Sequence, residues 1–404
     1  MSSVAPLQHE LDLERHAGEL APDQPVPKPE LGSEFELDAA VVKGGNNIFT
    51  ESPDQLMKGL ALPISGTEVI SAREYGMSLW GQTARIDTKL PNGVPKTYFL
   101  KTVCLDQAGR TMIEGEFESL KALHSVSPDL VPQPYAWGKF HTKSPPDVDT
   151  YFLLTEFRGV GKQPPNAVEF TARLAELHKK SESPTGKFGF HITTCHAKLP
   201  QFTDCWEDSW EVLYRKQLEN MIRLDKEKHG EWQEFSRICD LILDIVIPRL
   251  LEPLQSNGRT IKPCLVHGDL WDENTATDMD TGEPFIFDAG SFYGHNEYEI
   301  GNWRAARHRL SDEVYVQNYK QNFPASEPED EWDDRNLLYS LRFDLGTAVL
   351  IPGSNMRQVV KDNMTALCAR FCPKELRLAQ GQGQLPSLFD GADDVDEDEA
   401  GEEE

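Results

Sequence analysis

One stretch restricts this chain more than any other: residues 265–297, LVHGDLWDENTATDMDTGEPFIFDAGSFYGHNE. It contains His267-Gly268-Asp269, then Asn274 five residues past the aspartate, then Asp288 closing a second apolar run. Two short strands, Pro263 to Val266 and Pro284 to Phe287, are predicted as a hairpin around the turn-rich Asp278-Met-Asp-Thr-Gly282. The intervals suit kinase-type phosphoryl transfer. One carboxylate must accept the proton of the attacking hydroxyl, while a second carboxylate and an amide hold magnesium on the ATP phosphates. Chance alone yields the H-G-D-x-x-x-x-N pattern in a chain this long about once in a thousand.

Such chemistry also calls for a cation on the phosphates. Lys101 closes the stretch Tyr98-Phe-Leu-Lys101 within the predicted strand Thr97 to Val103. A helix predicted near 111–125 carries Ile113, Phe117, Leu120 and Leu123 as its apolar stripe. Glu116 lies on that stripe, whereas Glu114 and Glu118 point elsewhere. A carboxylate there is costly unless paired, and Lys101 is the natural partner; a solvated lysine and a helix-edge glutamate are the alternative. The segment Ser71 to Ser78 sits where a phosphate-covering loop belongs but has one glycine, Gly76. Its amides and the Ser78 hydroxyl suit a phosphate cradle, and an ordinary hairpin turn fits equally well. Glu156 and Phe157, after the strand Tyr151 to Thr155, fall where kinase-like hinges meet adenine through backbone groups. Trp271 either walls a sugar pocket or packs in the core, and His178 reads as structural.

The surrounding chain divides by texture. Residues 1–35 are polar and proline-dotted, a flexible leader; 36–155 hold an extension and a strand-rich lobe; 156–377 hold a hinge and helices; 378–404 form an acidic tail expected to stay solvated. Asn166 with Glu169 three residues on caps a helix through Phe170, Leu174 and Leu177. Two further stripes run Trp206-Trp210-Tyr214-Leu218-Met221 and Trp232-Phe235-Ile238-Ile242-Ile245. The expectation is an α+β, two-lobed protein-kinase-like fold. Net charge is −27, with ten acids among the last fifteen residues, which disfavours nucleic-acid and anionic-membrane partners. The first twenty residues carry acids and no apolar stretch, so no signal peptide is expected. Seven scattered cysteines without a C-x-x-C read as reduced thiols of a cytoplasmic protein.

The run HGDLW…N…FIFDAGSFYGHNEYE resembles the fructosamine-3-kinase (ketosamine kinase) family, kin to the aminoglycoside and choline kinases. Leu270-Trp271, Ser291-Phe-Tyr-Gly-His295, Lys187-Phe-Gly-Phe-His191, Thr194-Cys195, Trp206, Trp210 and Gly115-Glu116 carry the resemblance over roughly residues 70–375. It implies ATP- and Mg2+-dependent phosphorylation of the 3-hydroxyl of a ketosamine, on glycated proteins or free amines, in deglycation repair. Asp269 would then be the base, Asn274 and Asp288 the metal ligands, Lys101, Glu116, Glu156, Phe157 and Ser78 the ATP site, and Trp271 the sugar wall. The sequence departs from the family pattern at Asp272-Glu273, in place of Ser-Gly, and at Asp288-Ala-Gly290, in place of Asp-Pro-Ala. Two carboxylates are thereby added beside the expected magnesium. The loop before Ser78 also lacks the cysteine some relatives carry there. A kinase of another small alcohol or an aminoglycoside, and a non-catalytic nucleotide-binding regulator, are the competing readings.

Overall fold

Apolar residues alternate through the first strands, and the computed structural model, which describes residues 64–76, 78–140 and 148–381, pairs those strands into one antiparallel sheet. Its strands are β1 (Glu68–Glu74), β2 (Gln82–Lys89), β3 (Pro95–Cys104), β4 (Pro134–Lys139) and β5 (Thr150–Glu156), in the order β1-β2-β3-β5-β4. Helix α1 (Asp106–Val126) connects β3 to β4. Side chains two apart share a face of a strand, and this rule splits the sheet. Ala84, Ile86, Tyr98, Leu100, Phe152 and Leu154 make a small core on one face. Val103, Tyr151 and Leu153 on the other join Ile113, Leu120 and Leu123 of α1 in the main core. Lys101 shares the parity of Val103, so it points to α1. Leu79 to Gly81 belong to the turn that precedes β2.

Past Glu156 the chain becomes mostly helical. Helix α2 (Ala167–Lys180) starts as expected, with Asn166 Oδ1 accepting from Val168 N and Glu169 N, and buries Phe170, Leu174 and Leu177. Four two-residue strands follow: β6 (Phe188–Gly189), β7 (Cys195–His196), β8 (Leu199–Pro200) and β9 (Trp206–Glu207). Helix α3 (Trp210–His229) buries Trp210, Tyr214, Leu218 and Met221. Trp206, read as part of that stripe, lies outside the helix in β9 and touches Tyr293 at a centroid distance of 6.1 Å.

The third stripe also shifts. Helix α4 (Gln233–Leu241) passes through a π-turn at Ile242–Val246 into α5 (Ile247–Leu251). The wider turn moves the buried face from Ile245 to Val246, which a strict 3.6-residue period does not anticipate. Four short strands come next: β10 (Cys264–Val266), β11 (Thr275–Thr277), β12 (Pro284–Ile286) and β13 (Phe292–Gly294).

The two apolar runs around the turn at 278–282 do not pair with each other. Strand β12 pairs with β11, and β10 pairs with β13 in the sheet β10-β13-β6-β9. Both β11 and β13 are only three residues long, too short to announce themselves by alternation. Helices α6 (Asn296–Glu299), α7 (Glu313–Asn322), α8 (Trp332–Leu350), α9 (Met356–Phe371) and α10 (Pro373–Ala379) complete the second lobe.

The leader 1–35 and the acidic tail lie outside the described residues, apart from the tail's first positions up to 381. The seven cysteines carry free thiols. Among the described residues no helix is long and apolar enough to cross a membrane.

Candidate active site

Lys101 projects from β3 toward α1, where its Nζ lies 2.8 Å from Glu116 Oε2. The same ammonium lies 3.0 Å from Asp288 Oδ1 in the second lobe. Burial alone would discharge the lysine, but the charges of Asp288 and Glu116 outweigh it and hold its pKa above the ordinary value. One cation thus serves two carboxylates. Burial pushes Glu116 up to about 8, whereas for Asp288 burial is outweighed by the pull of Lys101 and its hydrogen bonds, and its pKa falls.

The loop after β10 is built to present Asp269. His267, fully buried, donates from Nε2 to the carbonyl of Phe287 at 2.7 Å, and its Nδ1 accepts from the amide of Asp269 at 3.3 Å. The imidazole therefore ties Asp269 to the residue just before Asp288. Gly268 has φ +85°, and a Cβ there would stand 2.2 Å from the Gly290 carbonyl oxygen. No other residue fits between the two loops. Asp288 itself adopts φ +57°, a left-handed conformation that aspartate tolerates better than most and that the surrounding hydrogen bonds must hold. Asp269 is 7% exposed. Burial pushes its pKa up to about 7, with Arg342 pulling it down and Asp288 pushing it up. A base titrating near neutrality is what proton abstraction at that pH requires.

Asn274 donates through Nδ2 to the Asp269 carbonyl at 2.7 Å, so its oxygen is the amide atom left to meet a cation. Among the described residues no group of three or more His, Cys, Asp or Glu side chains gathers into a metal cage. Magnesium does not need one, since it binds through one or two protein oxygens plus water and substrate phosphates. An accessible carboxylate (the Asp288 side chain is 39% exposed) and an oriented amide fit that role.

The remaining sequence-selected residues divide. Trp271 is half-buried beside the base, its ring 5.3 Å from that of His308. Ser78 Oγ accepts from Trp80 N at 3.4 Å, closing the turn before β2. Glu156 spends its amide on the Gln133 carbonyl (2.8 Å) and its carboxylate on Gln133 N and Arg158. The Phe157 ring meets Tyr75 edge-on at 4.8 Å, with the Arg85 guanidinium 4.9 Å from its centroid. His178 is buried against Tyr319, with Nδ1 2.8 Å from the tyrosine hydroxyl. Asp272 accepts from the amides of Arg309 (2.5 Å) and Leu310 (2.9 Å), capping the short turn Arg309–Ser311.

Two groups escaped the sequence reading. Glu299 accepts the amides of His267 and, at 3.1 Å, Gly268, and so anchors the loop of Asp269 from α6. His196 on β7 places Nε2 3.4 Å from Asp269 Oδ1, with Arg342 of α8 behind it. Glu299 sits within the run that carries the resemblance, but nothing in the spacing marks it; His196 and Arg342 have no local signal.

Comparison with known proteins gives consistent matches. The model of the fructosamine kinase family matches residues 83–368. A chloroplastic protein-ribulosamine 3-kinase of Oryza sativa subsp. indica is 33% identical over 211 residues, covering 52% of this chain and 56% of the rice protein. The ketosamine-3-kinase of Mus musculus is 32% identical, covering 47% of this chain and 64% of its own. The chain thus spans less than two thirds of the length of either relative. A crystal structure from Thermobifida fusca, provisionally assigned as a fructosamine-3-kinase, superposes with a TM-score of 0.59 at 22% identity, covering 75% of this chain and 95% of that one. The two-lobed, kinase-like α+β architecture is shared with it.

Proposed function

Because the chain belongs to the fructosamine kinase family, we propose that it transfers the γ-phosphoryl group of ATP to the 3-hydroxyl of a ketosamine, ribulosamine or fructosamine, on a protein lysine or a free amine. One observation carries the reading: Asp269, Asn274, Asp288 and Lys101 are held together by hydrogen bonds and ion pairs from both lobes. Asp269 accepts the proton of the attacking hydroxyl. Lys101 takes the α- and β-phosphates and is aimed by Glu116. Bound magnesium, on Asp288 and Asn274, supplies charge neutralisation on the phosphate oxygens. Ser78 and the backbone around it cover the phosphates, while the backbone at Glu156 and Phe157 borders adenine. Trp271 offers an aromatic face to the sugar, whose amine-bearing end projects outward so that a protein-attached lysine is admitted. Phosphorylated adducts of this kind decompose, which makes the biological role deglycation.

The test is product analysis. With ATP, Mg2+ and a lysine-derived ribulosamine, 31P NMR is expected to show a phosphomonoester on carbon 3 and one ADP per ester. ADP without a sugar ester contradicts the reading.

A further inference from the structure

The hairpin β7–β8 projects one side chain at the base. His196 stands with Nε2 3.4 Å from Asp269 Oδ1, long for a hydrogen bond and of the kind that tightens once substrates are bound. Behind the ring, Arg342 Nη1 lies 2.8 Å from His196 Nδ1. A guanidinium only donates, so Nδ1 is the acceptor and the ring proton is on Nε2, facing the carboxylate. Burial, reinforced by the charges of Arg342 and Arg307, keeps the imidazole neutral.

The slot that holds the ring is built for it. Arg342 and Gly346 sit one turn apart on α8, and a Cβ at Gly346 would stand 2.8 Å from Cε1 and Nδ1 of His196. The missing side chain lets the imidazole lie on the helix. Arg342 is fully buried and its Nη2 donates to Gln201 Oε1. Gln201 Nε2 in turn donates to the Gly290 carbonyl at 2.9 Å, two residues beyond Asp288. The hairpin thus grips both loops that carry the proposed chemistry.

Resting on the phosphotransfer reading above, we infer that His196 is a positioning residue for the base, holding Asp269 Oδ1 through Nε2–H while Arg342 fixes the tautomer that makes this possible. With Oδ1 facing Nε2–H, Oδ2, whose contact with Asn274 Nδ2 is a long 3.5 Å, is the oxygen available to take the acceptor's proton. The role belongs to orientation: His196 neither touches substrate nor exchanges a proton.

Two measurements test this. Histidine-selective 15N labelling, with the His196 signals identified by their loss in His196→Gln, is expected to show the neutral Nε2–H tautomer. This readout needs no activity, so it decides the inference even if the functional reading fails. In kinetics with ribulosamine, His196→Phe is expected to lower kcat by about 10- to 100-fold with ATP affinity unchanged, and to lower Tm because Arg342 Nη1 loses its acceptor. His196→Gln, whose Nε2 can donate from a similar place, is expected to recover most of the loss. A Nδ1–H tautomer, a His196→Phe variant with near-normal kcat, or a glutamine variant as impaired as the phenylalanine one would each overturn the inference.

Discussion

Lys101 and Asp288 lie 187 residues apart in sequence and 3.0 Å apart in space, joining the sheet of the first lobe to the loop after β12 in the second. The contact is more than a fastening. In a kinase-type reaction the lysine belongs to the phosphates and the aspartate to the metal that rides on them. In the structure the two neutralise each other, and Glu116 Oε2 lies 2.8 Å from the same ammonium.

From this follows the effect of Lys101→Met. Two carboxylates, Glu116 and Asp288, then face each other without their cation. The expected outcome is a loss of about a hundredfold or more in kcat/KM for ATP. Steady-state kinetics over an ATP series check it.

Asp269→Asn separates chemistry from stability. Turnover should be abolished while ATP binding, measured by calorimetry, persists. The buried carboxyl has its pKa raised from 3.8 to about 7, so ionised Asp269 destabilises the fold above pH 7. That cost fades as pH falls from 7 toward 4, where the native carboxyl is protonated and the unfolded one is still ionised. The asparagine variant should therefore melt higher than the wild type at pH 8, with the difference shrinking by pH 5. Melting curves at the two pH values check the sign.

Gly268→Ala should be far more damaging than its size suggests. The added methyl meets the Gly290 carbonyl at 2.2 Å in a backbone of φ +85°. The expected cost is at least about 2 kcal/mol, together with loss of activity. Denaturant unfolding and an ATPase-coupled assay measure both.

Asp272→Ala is the contrasting case. Its carboxylate holds the amides of Arg309 and Leu310. Removing it should cost about 1 kcal/mol, as for a lost helix cap, and lower Tm by about 2–4 °C. The Mg2+ concentration for half-maximal activity should not move. A shifted magnesium requirement would return Asp272 to the metal site.

These cases show what the sequence discloses. Asp269, Asn274 and Asp288 were legible because a short loop and a strand fix their intervals, and Glu116 because helical period put a carboxylate on an apolar stripe. His196, Arg342 and Glu299 were not, since each acquires its role only when distant elements pack. The pairing of β10 with β13 was hidden for the same reason, as three-residue strands carry too little pattern to name a partner. The direction of the Asp272 side chain, toward the amides of Arg309 and Leu310, was equally hidden, since it depends on a contact 37 residues away.

Acceptor choice decides the proposed function, and side-by-side kinetics test it most directly. Ribulosamine, fructosamine, an aminoglycoside and choline are offered separately to the wild-type chain with ATP and Mg2+, and kcat/KM is measured for each. The account predicts phosphorylation of the ketosamines alone, abolished in Asp269→Asn. For Trp271→Ala it predicts a raised ketosamine KM or a lowered kcat with ATP binding intact. Preference for the aminoglycoside or for choline would contradict it.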